Sequence, residues 1–155
     1  MLMPKFNDLK LEDWRESEIL TDSLWLIPSR DNAGKHSGFY HGNFIPQIPH
    51  QLILRYSKEG EIVFDPFLGS GTTAFEAENL KRNFIGIDIQ EGLVNQVRLK
   101  IDSLDNFHLI AGDSTKLETF NQIKAKLAKK NKTDVQLAIL HPPYADIVKF
   151  SDLEG

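Results

Sequence analysis

The segment EIVFDPFLGSGTT, residues 61–73, decides the fold class. Its apolar run Ile-Val-Phe stops at Asp65, which predicts a short buried strand. Gly69 and Gly71 then permit a tight turn and a close approach of the backbone to other atoms. The threonine pair that follows opens a helical pattern, TTAFEAENL. A strand, a glycine loop and a helix in this order predict the beginning of a β-α-β unit.

The same alternation continues toward the C-terminus. We predict three further strands, at NFIGIDI (83–89), FHLIAGD (107–113) and VQLAIL (135–140). Apolar residues at helical spacing predict one helix with Leu93, Val97, Ile101 and Leu104 on a single face, and a second with Leu117, Phe120, Ile123 and Leu127. Alternating strands and helices imply parallel strands joined by right-handed crossovers, so the predicted fold class is α/β, a mostly parallel sheet with flanking helices.

Upstream of this region the sequence is less regular. HQLILRYS (50–57) predicts a short helix with Pro49 near its first turn. Residues 28–49 are rich in Gly, Pro, Asn and His, which predicts a long loop that is either functional or disordered. LEDWRESEIL (11–20) favours a short helix. We therefore divide the chain into an N-terminal arm and loop, residues 1–40, and a domain portion, residues 41–155. Two tryptophans, Trp14 and Trp25, are interpreted as core anchors.

Composition excludes several classes of protein. The 155 residues carry 18 Lys and Arg against 22 Asp and Glu, a net charge of −4, so the whole chain is not a basic DNA-binding module. The absence of cysteine excludes disulfide scaffolds, thiolate zinc sites and cysteine nucleophiles. No apolar run is long enough to span a membrane. We expect a soluble, cytoplasmic protein.

Two groups of charged or metal-ligating residues are not expected to form binding sites. The histidines lack a carboxylate or thiolate partner at ligand spacing, so a metal site is not expected; they are His36, His41 and His50. The lysine-rich stretch at residues 124–132 resembles a phosphate-binding surface, but its spacing favours the solvated face of a helix.

Polar residues end every predicted strand. They are Asp65, Asp88, Asp113 and His141. Ligands of open parallel sheets bind outside the carboxyl ends of the strands, so these side chains mark a candidate site. The helix that follows the glycine loop would favour an anionic group at its first turn. Asp88 is placed to bind a ribose diol.

The glycine loop itself departs from the common nucleotide motifs. It is not a Walker loop, because no lysine follows the glycines, and it lacks the third glycine of the dinucleotide fingerprint, where Ala74 stands. One alternative interpretation is a plain glycine-rich turn with helix caps and no ligand. Another is the nucleotide site of a nicotinamide-dependent dehydrogenase.

Together these segments resemble a known family. FDPFLGSGTT (64–73) resembles motif I of the S-adenosylmethionine-dependent DNA amino-methyltransferases, and GNFIPQIPHQLILRYS (42–57) resembles their motif X. GIDIQ, AGDS and HPPY resemble motifs II, III and IV. The motif order X-I-II-III-IV is one of the circularly permuted orders of that family. The resemblance covers about residues 40–145 and implies a Rossmann-like methyltransferase fold.

The resemblance also implies S-adenosylmethionine as the cofactor and assigns residues to it. The methionine portion would be held by Asp65, Phe67, Gly69, Ser70, Gly71 and Thr72. Asp88 would accept hydrogen bonds from the ribose, Ile89 would lie against the adenine ring, and Asp113 would accept from the adenine amino group. The motif X side would be closed by Asn43, Phe44, Ile45 and Pro46.

Methyl transfer to adenine N6 or cytosine N4 is the implied reaction. His141 and the Pro142 carbonyl would accept hydrogen bonds from the amine, Pro143 would stiffen the loop, and Tyr144 would stack on a base flipped from duplex DNA. His141 departs from the family's usual Asp, Asn or Ser, because a neutral imidazole offers one nitrogen acceptor and loses it on protonation. The alternative is a histidine that merely ends a strand. The target base, adenine or cytosine, stays open.

The chain is shorter than the fold that it resembles. The family sheet has seven strands, whereas we count four strand signals and find no sequence for a target-recognition domain. We therefore expect a split enzyme, a truncated product or an excised fragment that pairs with a complementary methyltransferase chain or with itself. Membership of a restriction-modification system is the implied context. The alternative function is a non-catalytic remnant that binds S-adenosylmethionine or a partner chain without methylating DNA.

Overall fold

The computed structural model describes residues 5–13, 15–36, 38, 40 and 42–143. Its centre is a four-stranded sheet, every strand pair of which is parallel. The strands are β1 (Ile62–Asp65), β2 (Asn83–Asp88), β3 (Phe107–Ala111) and β4 (Leu137–Ala138). The helices are α1 (Gln47–Tyr56), α2 (Thr72–Asn79), α3 (Glu91–Lys100) and α4 (Leu117–Lys129). The predicted α/β fold with a parallel sheet is confirmed.

The strand order β3-β2-β1-β4 positions the candidate site. Chain connections run outward from β1 through β2 to β3, and then return to place β4 on the opposite side of β1. Such a reversal is the topological switch point at which open α/β sheets bind their ligands. The loop after β1 and the residues after β4 therefore leave the same edge of the sheet side by side.

Each face of the sheet is covered by its own apolar cluster. Side chains of α1, α2 and α3 pack with Val63 and Phe84 on one face. On the other face, Ile62 and Ile85 pack with Ile123 and the rest of the apolar stripe of α4. Neighbouring residues of β1 and of β2 thus point to opposite faces, as a pleated strand requires.

Three predicted apolar positions are exposed rather than part of this core. The helix α3 ends at Lys100, so Leu104 falls in a short 3-10 turn and is 44% exposed. Leu117 and Phe120 are 68% and 37% exposed, because α4 buries Thr119, Ile123 and Leu127 instead. The predicted faces of both helices were therefore wrong at these positions. Residues three and four apart offer more than one apolar stripe, and the sheet selects one of them.

The segment upstream of α1 has little regular structure. Within the described residues before Gln47, the only helical turn is the 3-10 turn Leu11–Asp13, where a longer helix was predicted. Trp25, predicted to be a core anchor, is only half-buried and belongs to neither apolar cluster; it lies against the guanidinium of Arg55 at 5.0 Å. The other predicted core anchor, Trp14, and the histidine His41 lie outside the described residues.

Polar contacts fasten this segment to the rest of the molecule. The buried Arg82 donates to Asp8 Oδ2 at 3.0 Å and to the Ser57 carbonyl at 2.8 Å. Gln51 of α1 donates to the Glu18 carbonyl and accepts from the Leu20 N–H, both at 2.8 Å. The predicted boundary near residue 40 stays a prediction. None of the helices among the described residues is long and apolar enough to cross a membrane.

We predict that Gly71→Ala destabilises the protein more than Gly60→Ala. Both glycines have positive φ, 90° and 77°, so alanine at either position costs about 1–2 kcal/mol in backbone strain. A Cβ at Gly71 would lie only 2.8 Å from both methyl groups of Val97, whereas a Cβ at Gly60 would meet no atom within 4 Å. Crowding adds about 1–3 kcal/mol at Gly71 alone. The free energies of unfolding, measured in urea, test this difference, and equal losses would contradict it.

Candidate functional site

The glycine loop between β1 and α2 has a fixed shape. The Leu68 N–H donates to the carbonyl of Ile87 at 2.8 Å, which attaches the loop to the neighbouring strand β2. The Gly71 N–H donates to the Leu68 carbonyl at 2.9 Å, which closes a turn. Gly69 and Gly71 both have positive φ, 52° and 90°, a conformation that favours glycine. The helix α2 begins at the next residue.

Asp65 supports this loop from below. Its carboxylate is buried and accepts hydrogen bonds from the Phe67 N–H at 2.9 Å and from the Thr73 hydroxyl at 2.6 Å. Burial raises the pKa of Asp65 to about 6, although both hydrogen bonds oppose the rise. Asp65 therefore organises the loop and the start of α2, and its side chain does not line the cleft described below.

Asp88 joins the loop to the end of β2. One carboxylate oxygen accepts from the Gly69 N–H at 2.8 Å, and the other accepts from the Gln90 N–H at 2.9 Å. The side chain remains partly exposed and lines the cleft. A carboxylate has about four lone-pair sites, so Asp88 keeps acceptor capacity for a ligand.

Asp113 follows β3 and holds its own turn. Its Oδ1 accepts from the Thr115 N–H at 2.8 Å and from the Thr115 hydroxyl at 2.7 Å. These two hydrogen bonds lower the pKa of Asp113, so the group is a carboxylate at neutral pH. Its side chain reaches the same cleft.

The segment before α1 forms the opposite wall. Asn43 and Ser70 bond reciprocally: the amide donates to the hydroxyl at 2.6 Å, and the hydroxyl donates to the amide oxygen at 2.9 Å. Arg30 donates to the Phe44 carbonyl at 3.2 Å. The ring of Phe44 meets the ring of His141 edge-on, with centroids 4.9 Å apart. This wall therefore connects the glycine loop to the residues that follow β4.

These elements enclose a cleft of about 280 Å³ at the edge of the sheet. Eleven of the residues singled out from the sequence line it. They are Asn43, Phe44, Phe67, Gly69, Thr72, Asp88, Ile89, Asp113, His141, Pro142 and Pro143. The structure thus brings together five separate segments of the chain, around a volume close to the lower end of small-molecule sites.

Other predicted residues lie behind the cleft or outside the description. Five described residues do not line it: Ile45, Pro46, Asp65, Ser70 and Gly71. Pro46 is fully buried at the start of α1, and Ser70 acts through Asn43. Tyr144, the expected stacking residue, lies outside the described residues.

The cleft also contains seven residues to which the sequence analysis assigned no role. They are Tyr40, Gly42, Pro66, Leu68, Gln90, Ser114 and Thr115. Five of them lie within the motifs quoted above, and Thr115 directly follows the AGDS segment. Tyr40 has no such signal, because it lies in the irregular loop before Asn43.

Two histidines from other elements surround a buried carboxylate of α2, Glu76; the side chain of His36 is buried and that of His50 is half-buried. His36 Nε2 and His50 Nδ1 contact the two oxygens of Glu76 at 2.5 and 2.6 Å. Burial opposes ionisation of Glu76, but the two histidines outweigh it and lower its pKa to about 2. Spacing in the sequence does not reveal this partner, because Glu76 is 40 residues from His36 and 26 residues from His50. Among the described residues, no group of side chains is arranged to hold a metal ion.

A family model and individual related proteins both place this chain in the same family. Residues 5–99 match the model of a family described as DNA methylase, the N6/N4 group. The Type II methyltransferase M.MjaII of Methanocaldococcus jannaschii is 41% identical over 99 residues, which are 59% of this chain and 19% of that protein. The Type II methyltransferase M2.DpnII of Streptococcus pneumoniae is 42% identical over 111 residues, 66% of this chain and 41% of that protein. The chain thus spans less than half the length of these relatives.

Solved structures are more distant. A methyltransferase from Streptococcus mutans, crystallised in complex with SAH, aligns with a TM-score of 0.45 at 21% identity, over 66% of this chain and 56% of that chain. This likeness is too weak to assign a function.

We predict that Asp65→Asn changes how stability depends on pH. The folded pKa of Asp65, about 6, lies above its ordinary value of 3.8, so the folded state binds this proton more tightly than the unfolded state. The resulting stabilisation is complete below about pH 4 and is lost as the pH rises through 6. The amide replaces the carboxyl group without titrating. Relative to wild type, the variant should gain stability between pH 4 and pH 7, on the order of 3 kcal/mol.

Denaturant unfolding of both proteins at pH 4 and pH 7 measures this change. The comparison between the two pH values cancels any constant cost of the substitution, such as a weaker hydrogen bond to Thr73. Parallel pH profiles for the two proteins would show that Asp65 does not bind a proton more tightly in the folded state.

Proposed function

The chain belongs to the DNA methylase family of the N6/N4 group, and we propose that its cleft binds S-adenosylmethionine for methyl transfer to DNA. The observation that carries the proposal is the glycine loop held by Asp88 through the Gly69 N–H, at the switch point of a parallel sheet. The methyl acceptor we propose is an exocyclic amine, adenine N6 or cytosine N4. The names of the relatives, Type II methyltransferases, further support a role in a restriction-modification system.

The chemistry of the cleft fits this cofactor. S-adenosylmethionine carries a sulfonium cation, a carboxylate and a nucleoside, and when bound it supplies an electrophilic methyl group. Asp88 and Asp113 place negative charge at the end we assign to the nucleoside. Ile89 lines the cleft with 51% of its surface exposed, which suits an aromatic base that covers it. Thr72 begins α2, whose first N–H groups and dipole favour the carboxylate of the methionine portion.

The catalytic residues we propose lie across the same cleft. The His141 imidazole and the Pro142 carbonyl would accept hydrogen bonds from the amine, so that its nitrogen lone pair points toward the methyl carbon. The contact with Phe44 restricts the His141 ring, and the two prolines fix the backbone beside it. Positioning of this kind contributes about 7–11 kcal/mol in well-oriented reactions. Tyr144, the next residue, is proposed to stack on the flipped base.

The DNA-reading surface is proposed to come from elsewhere. The chain spans less than half of the length of these relatives. Its net charge of −4 does not favour binding to the negatively charged DNA duplex. Among the described residues, β4 pairs with β1 and with no strand on its other side. Leu140, just after β4, is 63% exposed. These features support a complementary methyltransferase chain, or a second copy, as the partner that completes the sheet.

We predict that Asp88→Asn weakens binding of S-adenosylmethionine about 10- to 100-fold. The substitution removes a charge-assisted acceptor for the ribose hydroxyls, a type of hydrogen bond that contributes about 1.5–3 kcal/mol. Isothermal titration calorimetry on the folded chain gives the dissociation constants. Asp134→Asn, at an exposed position outside the cleft, is the matched control and should bind as wild type does. No measurable binding by the folded wild-type chain would refute the proposed function.

We predict that His141→Ala lowers the rate of methyl transfer by at least about 100-fold while cofactor affinity stays within about threefold. Loss of a positioned hydrogen-bond acceptor acts on the transition state rather than on cofactor binding. His141→Asn should recover part of the rate, because its amide oxygen is also an acceptor. The assay measures the incorporation of labelled methyl groups into duplex DNA under two conditions. In the first, only the product of the intact gene is present; in the second, the product of any adjacent reading frame is added.

The same assay separates the two functional classes. Full activity of His141→Ala would leave the Pro142 carbonyl as the effective acceptor. Cofactor binding without transfer by the wild-type protein, under both conditions, would favour a non-catalytic remnant.

A further inference from the structure

A tight turn attaches the cleft wall to the glycine loop at two points. The Asn43 N–H donates to the Tyr40 carbonyl at 3.4 Å, and Gly42 at the third position has φ 85°. Positive φ at this position of a turn favours glycine. Asn43, at one end of the turn, bonds to Ser70. Tyr40, at the other end, lies over Gly69: a Cβ on Gly69 would be 3.2 Å from Cε1 of the tyrosine ring.

Tyr40 also reaches the far side of the cleft. Its hydroxyl forms a hydrogen bond with the side chain of Gln90. The Gln90 N–H in turn donates to Asp88 at 2.9 Å, and Asp88 accepts from the Gly69 N–H. A continuous path of contacts therefore runs from Tyr40 through Gln90 and Asp88 back to the glycine on which the tyrosine ring lies. All four residues line the cleft.

The environment keeps the tyrosine hydroxyl protonated. Burial, together with the nearby charge of Asp88, raises the pKa of Tyr40 above its ordinary value of 10.0, while the hydrogen bond with Gln90 opposes the rise. The hydroxyl is therefore available as a donor throughout the neutral range. A hydrogen bond that lowers the pKa is one donated to the phenol oxygen, so the Gln90 amide is the donor and the hydroxyl proton stays available to a ligand oxygen beside Asp88.

We propose that Tyr40 and Gln90 form a clasp across the cleft that closes over the ribose of the bound nucleoside and slows its release. The inference rests on the proposed function and adds two cofactor-binding residues to it. The ring contributes a flat wall against the glycine backbone. The hydrogen bond between the hydroxyl and the Gln90 amide spans the opening of the cleft beside Asp88, the residue assigned to the ribose diol.

The test is a double-mutant cycle on cofactor affinity. Tyr40→Phe removes the hydroxyl and keeps the ring, and Gln90→Leu removes the amide at nearly constant size. Each should raise the dissociation constant for S-adenosylmethionine about 3- to 10-fold, the range expected for one hydrogen bond, through faster dissociation. The double variant should bind within about twofold of the weaker single variant, because both changes break one contact. Tyr56→Phe, on the exposed side of α1, should match wild type.

Each outcome decides a separate point. No binding by the folded wild-type chain refutes the proposed function, and the clasp with it. Binding by wild type with both single variants within twofold refutes the clasp alone. Additive losses in the double variant also refute it, because independent contacts do not form a clasp. Thermal melting without ligand checks that the variants fold. If Tyr40→Phe does not fold, Gln90→Leu still tests the clasp.

Discussion

The bond between the Gly69 N–H and the carboxylate of Asp88 is the contact on which the site depends. A glycine loop has many conformations in isolation, and its amides need acceptors when they leave water. Asp88 supplies one acceptor from the neighbouring strand, and its second oxygen holds the backbone of Gln90. The parallel register between β1 and β2 sets the height of Asp88 relative to the loop. One carboxylate thus couples the shape of the loop to the geometry of the sheet.

The two walls of the cleft differ in how many contacts hold them and in how deeply those contacts are buried. Below the loop, α2 is anchored by buried polar groups: Asp65 at its first turn and Glu76 between two histidines. Both carboxylates have hydrogen-bond partners that are in place only when the helix lies in this position, so these contacts favour one position for the helix. The opposite wall depends on fewer contacts, chiefly the Asn43–Ser70 pair and the edge of Phe44 on His141. The glycine-loop side is therefore the fixed reference against which the other wall is positioned.

The sequence predicted those parts of the molecule that follow a local pattern. The strand that ends at Asp65, the acidic residue after each of the next two strands and the helix after the glycines could be identified from periodicity and turn chemistry. Other features depend on contacts between distant segments. Glu76 acquires its histidines only when α1 and the upstream loop pack on α2, and Tyr40 reaches Gln90 only across the folded cleft. The exposure of Leu117 likewise follows from which stripe of α4 meets the sheet.

The pairing of β4 with β1 joins residues about 70 positions apart through only two rungs, Val63 with Leu137 and Phe64 with Ala138. Closing so long a stretch of chain costs entropy before any contact repays it. The strands β1, β2 and β3 are linked by much shorter connections and share more rungs. We therefore expect the chain to assemble in two stages, with β1, β2, β3 and the helices packed on them ordered first and residues 141–143 docking last. Late docking would make residues 141–143 the first part of the cleft to separate from the sheet under denaturing conditions.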